Sequence, residues 1–148
     1  MLELKGTTSI VSTTVRIVGE VETRLDVHDA GTPLAVVRLM LGSVLVNVHG
    51  ALAVERVAKI WQDAGFHRDR LASEVTDPRR GLLIGGCQVG TVARIGPDAP
   101  SRCDLIPRTK QLPQHIRIQI GPLIWLVMDR AAYDSTRAAW DQATKLAR

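Results

Sequence analysis

Residues 37–64 and 116–143 lie on one another at an offset of 79 residues without a gap, and this self-likeness constrains the fold more than any other feature of the chain. Arg38 falls on Arg117, Gly42 on Gly121, Val48 on Val127, Ala53 on Ala132, Trp61 on Trp140 and Ala64 on Ala143, and aliphatic residues meet at most of the remaining strand positions. Each stretch reads as strand, tight turn, strand, helix. In the first, Val37, Leu39 and Leu41 alternate with Val36, Arg38 and Met40, so the two sets point to opposite faces. Gly42-Ser43 is the length of a two-residue hairpin connection into a strand at 44–49. In the second, Ile116, Ile118 and Ile120 alternate with Arg117 and Gln119, and Gly121-Pro122 turns the chain into 123–128. The helix at 51–64 has an apolar stripe of Ala53, Val57, Ile60, Trp61 and Ala64, with Gly65 as a C-cap. The helix at 130–147 has Ala132, Thr136, Ala139, Trp140 and Ala143, with Asp129 as its N-cap. Two origins fit this pattern: convergence on a common hairpin-and-helix unit, or an internal duplication.

Around these units the periodicity predicts a strand at 14–21 and a polar turn region at 22–33, ending Asp29-Ala30-Gly31-Thr32-Pro33. It further predicts a charged loop at 66–80, and a strand at 82–95 interrupted by Gly85, Gly86 and Gly90. Residues 96–114 hold four prolines and read as a long surface loop. At 148 residues the chain is one domain, long enough to bury roughly 70% of its unfolded surface without a disulfide or metal staple. The expected class is α+β and strand-rich, since Val, Leu, Ile and Ala dominate the apolar residues.

Several chemistries lack a motif. There is no phosphate-binding glycine loop, no dinucleotide fingerprint, no nucleophile elbow, no HExxH and no CxxC. The four histidines, His28, His49, His67 and His115, are far apart, so no metal or cofactor is expected. Cys87 or Cys103 with His115 offers only the residue types of a thiol nucleophile, and Cys87 reads as a small core residue. The sequence is therefore expected to be non-catalytic. No signal peptide is read at the N-terminus, two cysteines make no disulfide framework, and the apolar runs are too short to span a bilayer. A cytoplasmic protein is expected, with no membrane partner.

The functional signal is basic. Lys and Arg number 19 against 15 Asp and Glu, a formal charge of +4. With the isoleucine and valine rows inward on one sheet, the other face is expected to show Arg16, Arg38, Asn47, Arg117 and Gln119, a phosphate track. Arg79, Arg80, Arg108 and Lys110 add charge in flanking loops, and Trp125 is the one tryptophan off a helix stripe, a candidate to stack on a base. The same arginines also serve a sheet that merely needs a wet face, which leaves a protein-interaction or assembly module without nucleic acid as the alternative.

Residues 14–21, Thr14-Val15-Arg16-Ile17-Val18-Gly19-Glu20-Val21, are followed after a polar loop by Gly31-Thr32-Pro33-Leu34-Ala35-Val36-Val37-Arg38-Leu39. A strand at 44–50 then leads into Ala51-Leu52-Ala53-Val54-Glu55. Over about residues 12–62 this resembles the opening of bacterial single-stranded DNA-binding proteins. The resemblance implies an OB-like barrel of five or six antiparallel strands, with one helix after the third strand and a C-terminal helix. The alternative architecture is a duplicated strand–strand–helix unit. The resemblance also implies single-stranded DNA as partner, homo-oligomer assembly, and a plasmid- or phage-related role. The family's aromatic stacking positions are mostly aliphatic or Arg in this sequence, so binding is expected to lean on arginine and to be sequence-tolerant.

Overall fold

The computed structural model describes residues 6–7, 12–75 and 90–148. In chain order these form β1 (Thr13–Ile17), β2 (Thr23–His28), β3 (Val36–Leu41), β4 (Val44–His49), α1 (Ala51–Ala64), a 3-10 helix (Gly65–Arg70), β5 (Thr91–Ile95), β6 (Ser101–Ile106), β7 (His115–Ile120), β8 (Leu123–Val127) and α2 (Arg130–Ala147). The class is α+β and strand-rich, as the composition implied. The strands make two four-stranded sheets, ordered β2-β3-β4-β5 and β1-β8-β7-β6.

The barrel expectation is corrected. Each sheet is mixed, with β4–β5 and β1–β8 parallel and the remaining pairs antiparallel. The sheets do not close into a barrel, and α1 follows the fourth strand, not the third. Two strands lay hidden in supposed loops: β2 inside 22–33 and β6 inside 96–114. Both are edge strands, and their outward positions carry Arg24 and Asp26, and Arg102 and Asp104, so their composition reads as polar while their inward side chains still pack. The strand expected at 14–21 stops at Ile17, because Gly19 takes φ 70° and turns the chain. Of the strand expected at 82–95, residues 82–89, with Cys87, lie outside the described residues, and β5 occupies the end of it.

The two halves share one plan. Val36 to His49 in β3–β4 and His115 to Val127 in β7–β8 pair in the same register 79 residues apart, around Gly42 at φ 60° and Gly121 at φ 58°. Both turns need the left-handed region, which glycine enters without a Cβ clash. The likeness also runs further upstream than the ungapped comparison reached. Thr13, Arg16 and Ile17 of β1 correspond to Thr91, Arg94 and Ile95 of β5, and Arg24 and Asp26 of β2 to Arg102 and Asp104 of β6. These strands are offset by 78 residues; the loop before β7 is one residue longer than the loop before β3, which restores 79. The first strand of each half is exchanged. β5 pairs with β4 (Thr91 opposite Val44), and β1 pairs with β8 (Thr13 opposite Leu123). The helices cross over as well: α1 packs on α2 and reaches β6 and β7, while α2 reaches β2 and β3. Neither half closes a core alone.

One apolar cluster joins everything: Val37, Leu39, Val46 and Val48 from one sheet, Ile116, Ile118, Trp125 and Val127 from the other, and Val57, Trp61, Ala139 and Trp140 from the helices. At its centre Trp61 meets Trp125 edge-on at 5.6 Å and stacks on Tyr133 at 6.2 Å. At the end of α1 the Gly65 N–H bonds to Gln62 and Asp63 carbonyls, the tightening into the 3-10 helix, and the Trp61 carbonyl is instead taken by the Tyr133 hydroxyl at 2.5 Å. Burial pushes the Tyr133 phenol above its ordinary value.

Asp129 holds the second half together. Fully buried, its carboxylate accepts from Ala132 N as the α2 N-cap (2.8 Å), from Gly19 N just past β1 (3.0 and 3.1 Å), and from Val75 N (3.0 Å). Among the described residues no helix is long and apolar enough to cross a membrane.

Candidate nucleic-acid interface

The outward positions of the sheets carry a repeated charge pattern. Across β2-β3-β4-β5 one register row reads Asp26, Arg38, Asn47, Arg94. Across β6-β7-β8-β1 the equivalent row reads Asp104, Arg117, Leu126, Arg16. The neighbouring rows are Arg24, Met40, Leu45, Val92 and Arg102, Gln119, Ile124, Thr14. Strand pleat sends every one of these side chains away from the core. The eight strands therefore hold six arginines and two aspartates, an excess of four. The rest of the chain is balanced, thirteen basic against thirteen acidic residues, so the formal +4 of the chain resides on the sheet faces.

The two faces differ in how free their cations are. On β2-β3-β4-β5, Arg24, Arg38 and Arg94 are exposed and make no hydrogen bond or ion pair among the described residues. Asp26 is turned to His28 (3.1 Å). Between Arg38 and Arg94 stands the half-buried Asn47, whose Oδ1 is buried without a hydrogen-bond partner among the described residues. Arg24, Arg38, Met40 and Leu45 line a shallow depression of about 240 Å³ on this face. On the other face Arg102 Nε donates to Asp104 (2.7 Å), and Arg117 donates to Gln119 Oε1 (3.3 Å), whose amide in turn donates to Gly121 O (3.3 Å).

Arg16, Arg38 and Arg117, expected on one sheet, are divided: Arg38 with Asn47 on one, Arg16 and Arg117 with Gln119 on the other. Arg108 and Lys110 are exposed in the loop joining β6 to β7. Arg79 and Arg80 lie outside the described residues. Trp125 is 0% exposed, because it shares strand parity with Leu123 and Val127 and points into the core, so its ring is closed to a base. Trp61, Trp140 and Tyr133 are buried too, and Phe66 on the 3-10 helix is the exposed ring among the described residues. Arg24, Arg94 and Arg102 escaped the sequence reading; their signal was the recurrence of Thr-x-x-Arg-Ile and Arg-x-Asp, masked by the change of offset.

Cys103 and His115 do not meet as a catalytic pair. Cys103 sits opposite Ile118, His115 is buried at the start of β7 opposite Ile106 with its ring at 2.9 Å from Pro113 O, and burial raises the Cys103 thiol, away from the reactive thiolate. No three His, Cys, Asp or Glu side chains among the described residues form a cluster fit for a metal ion. Compared with known proteins, the chain matches no family model, no curated protein and no solved structure.

Proposed function

We propose that this protein binds single-stranded nucleic acid without catalysis and without sequence preference, through its outward arginines, with the β2-β3-β4-β5 face as the principal surface. The observation that carries the reading is the concentration of the net charge on outward strand positions, with Arg24, Arg38 and Arg94 unpaired around the Asn47 amide. Guanidinium groups bind phosphate oxygens bidentately and release condensed counterions. Arg38 and Arg94 stand two strands apart, roughly 10 Å, so they suit different phosphates of one backbone. Met40, Leu45 and Val92 in the next row offer apolar contact to base edges in place of rings. The reading places the protein in the cytoplasm and expects homo-oligomers. Anisotropy titration of a labelled oligo-dT, with a duplex competitor, tests it: uptake of the single strand that duplex displaces poorly supports the reading, and absence of uptake at micromolar protein and low salt rejects it.

A further inference from the structure

β2 is an outer edge of the β2-β3-β4-β5 sheet, and the ladder to β3 fixes which backbone groups its open side presents. Gly42 N donates to Glu22 O (3.2 Å), so by strand alternation Glu22, Arg24, Asp26 and His28 direct their N–H and C=O groups at β3. Thr23, Leu25 and Val27 direct theirs away from the sheet, where no group among the described residues takes them.

Such an edge accepts another strand unless its side chains forbid it, and like charges set opposite one another are the usual bar. β2 carries the reverse arrangement. Its outward side chains read Arg24 then Asp26, one on either side of Leu25. Laid antiparallel on a copy of itself, with Leu25 opposite Leu25, the strand sets Arg24 opposite Asp26 of the second copy and Asp26 opposite Arg24. The backbone obeys the same centre. Leu25 meets Leu25, Thr23 meets Val27 and Val27 meets Thr23, all of them positions whose N–H and C=O groups point outward, so each pair exchanges both of its hydrogen bonds. Arg24 and Asp26 then occupy non-hydrogen-bonded pairs, where facing Cβ atoms come within about 4.5–5.5 Å. Backbone and charge agree on one register.

Both charges are available on β2. Arg24 has no hydrogen bond or ion pair among the described residues, and Asp26, its side chain 62% exposed, is turned to the exposed His28 of its own strand. β6, the equivalent edge of the other sheet, repeats the pattern with Arg102 and Asp104, but there Arg102 Nε already donates to Asp104 (2.7 Å), and Asp104, Leu105 and Ile106 are half-buried.

We propose that β2 is the interface with a second copy of this chain, paired edge to edge across a twofold axis. The joined sheet runs β5-β4-β3-β2 into β2-β3-β4-β5 of the second copy, and Arg38, Asn47 and Arg94 of both copies stay outward on it. A twofold contact of this kind closes on itself and stops at a dimer. It needs no nucleic acid, so it stands or falls apart from the reading above.

Sedimentation of the full chain over a concentration series, with no oligonucleotide present, tests it. Passage from the 16.2 kDa chain to twice that mass is expected as concentration rises. Arg24→Asp and Asp26→Arg each turn both cross-strand pairs into like-charge pairs and weaken the dimer about tenfold or more. Combined, the two changes restore opposite-charge pairs with the signs exchanged, and the dimer returns to within about threefold of wild type. Thr23→Pro, at the exposed first position of the strand, removes an outward N–H and no bond to β3, so it weakens the dimer with the far-UV spectrum unchanged. Arg102→Ala leaves the dimer as it was. A chain that stays monomeric or grows past the dimer, single charge variants that dimerise like wild type, a combined variant no better than either single one, or a dimer lost on Arg102→Ala overturns the proposal.

Discussion

Gly50 and Asp129 stand at the same place in the two halves, one residue before α1 and α2, and they make those helix starts opposite in character. Asp129 is buried and ties two backbone segments, at Gly19 and Val75, to the α2 start that it caps, whereas Gly50, at φ 98°, leaves α1 without a side-chain cap. Both starts are nevertheless met by a preceding backbone segment: Arg130 N donates to Ala72 O (2.9 Å) and Ala51 N to Pro33 O (3.4 Å).

Replacing Asp129 removes a cap and strands the Gly19 and Val75 N–H groups away from water. Asp129→Ala is expected to cost about 3–7 kcal/mol, from a lost N-cap of about 1 and two buried unsatisfied donors of about 1–3 each. Asp129→Asn keeps one acceptor oxygen and falls between. Urea denaturation measures both; an Ala variant within half a kcal/mol of wild type would contradict the role given to this carboxylate.

Gly65 is forced by a neighbour rather than by its own backbone. At φ −58° any residue fits the chain, yet a Cβ would lie 2.8 Å from the Tyr133 hydroxyl. Gly65→Ala therefore displaces Tyr133 and its bond to Trp61 O, at a cost of about 1–3 kcal/mol. Tyr133→Phe alone loses about 1 kcal/mol with that hydrogen bond. Combined, the two changes are less than additive, because removing the hydroxyl removes the clash. Full additivity in thermal melts would disprove the contact.

Arg68 pins the 3-10 helix to α2 through a bidentate pair with Asp134, both bonds 2.7 Å. The Arg68 hydrogen bonds hold the Asp134 carboxyl below its ordinary value. For a lowered carboxyl, the stabilisation is complete above the unfolded value, about 4, and fades as pH falls through the lower folded value. Asp134→Asn should lower the melting temperature slightly at neutral pH and make no difference in strong acid. Side chains this exposed give a small effect. Equal loss at both pH values would refute the electrostatic account.

Intrinsic fluorescence separates the present reading from a stacking mode. Trp61, Trp125 and Trp140 are all 0% exposed. Saturating oligo-dT should leave tryptophan emission unquenched and its maximum unshifted, with little acrylamide quenching beforehand. Strong quenching by oligonucleotide would show a ring stacking on a base.

Sequence patterns exposed the helices and hairpins and hid the edges. α1 and α2 begin and end where the stripes and caps place them, because Trp61, Trp140 and Asp129 are strong local signals. β2 and β6 were read as loop because an edge strand is judged by its outward Arg and Asp, and only pairing with β3 and β7 reveals it. The exchange of β1 and β5 between halves is a long-range pairing with no local signature. For the site, alternation correctly turned Arg38 and Arg117 outward. Their division between two sheets, and the freedom of Arg24 and Arg94, followed from topology. The inward direction of Trp125 is not legible locally, because its strand, Leu-Ile-Trp-Leu-Val, is apolar at every position and gives no parity to read.

The salt dependence of oligo-dT affinity tests the arginine-face account most directly. A single-stranded ligand releases about 0.7 counterions per neutralised phosphate, so between three and six engaged arginines predict a slope of log K against log salt of about −2 to −4. Arg38→Ala with Arg94→Ala should flatten that slope by about 1.4, and the same exchange at Arg102, already paired to Asp104, should change it less. A slope near zero, or one that the Arg38 and Arg94 changes leave intact, would contradict it.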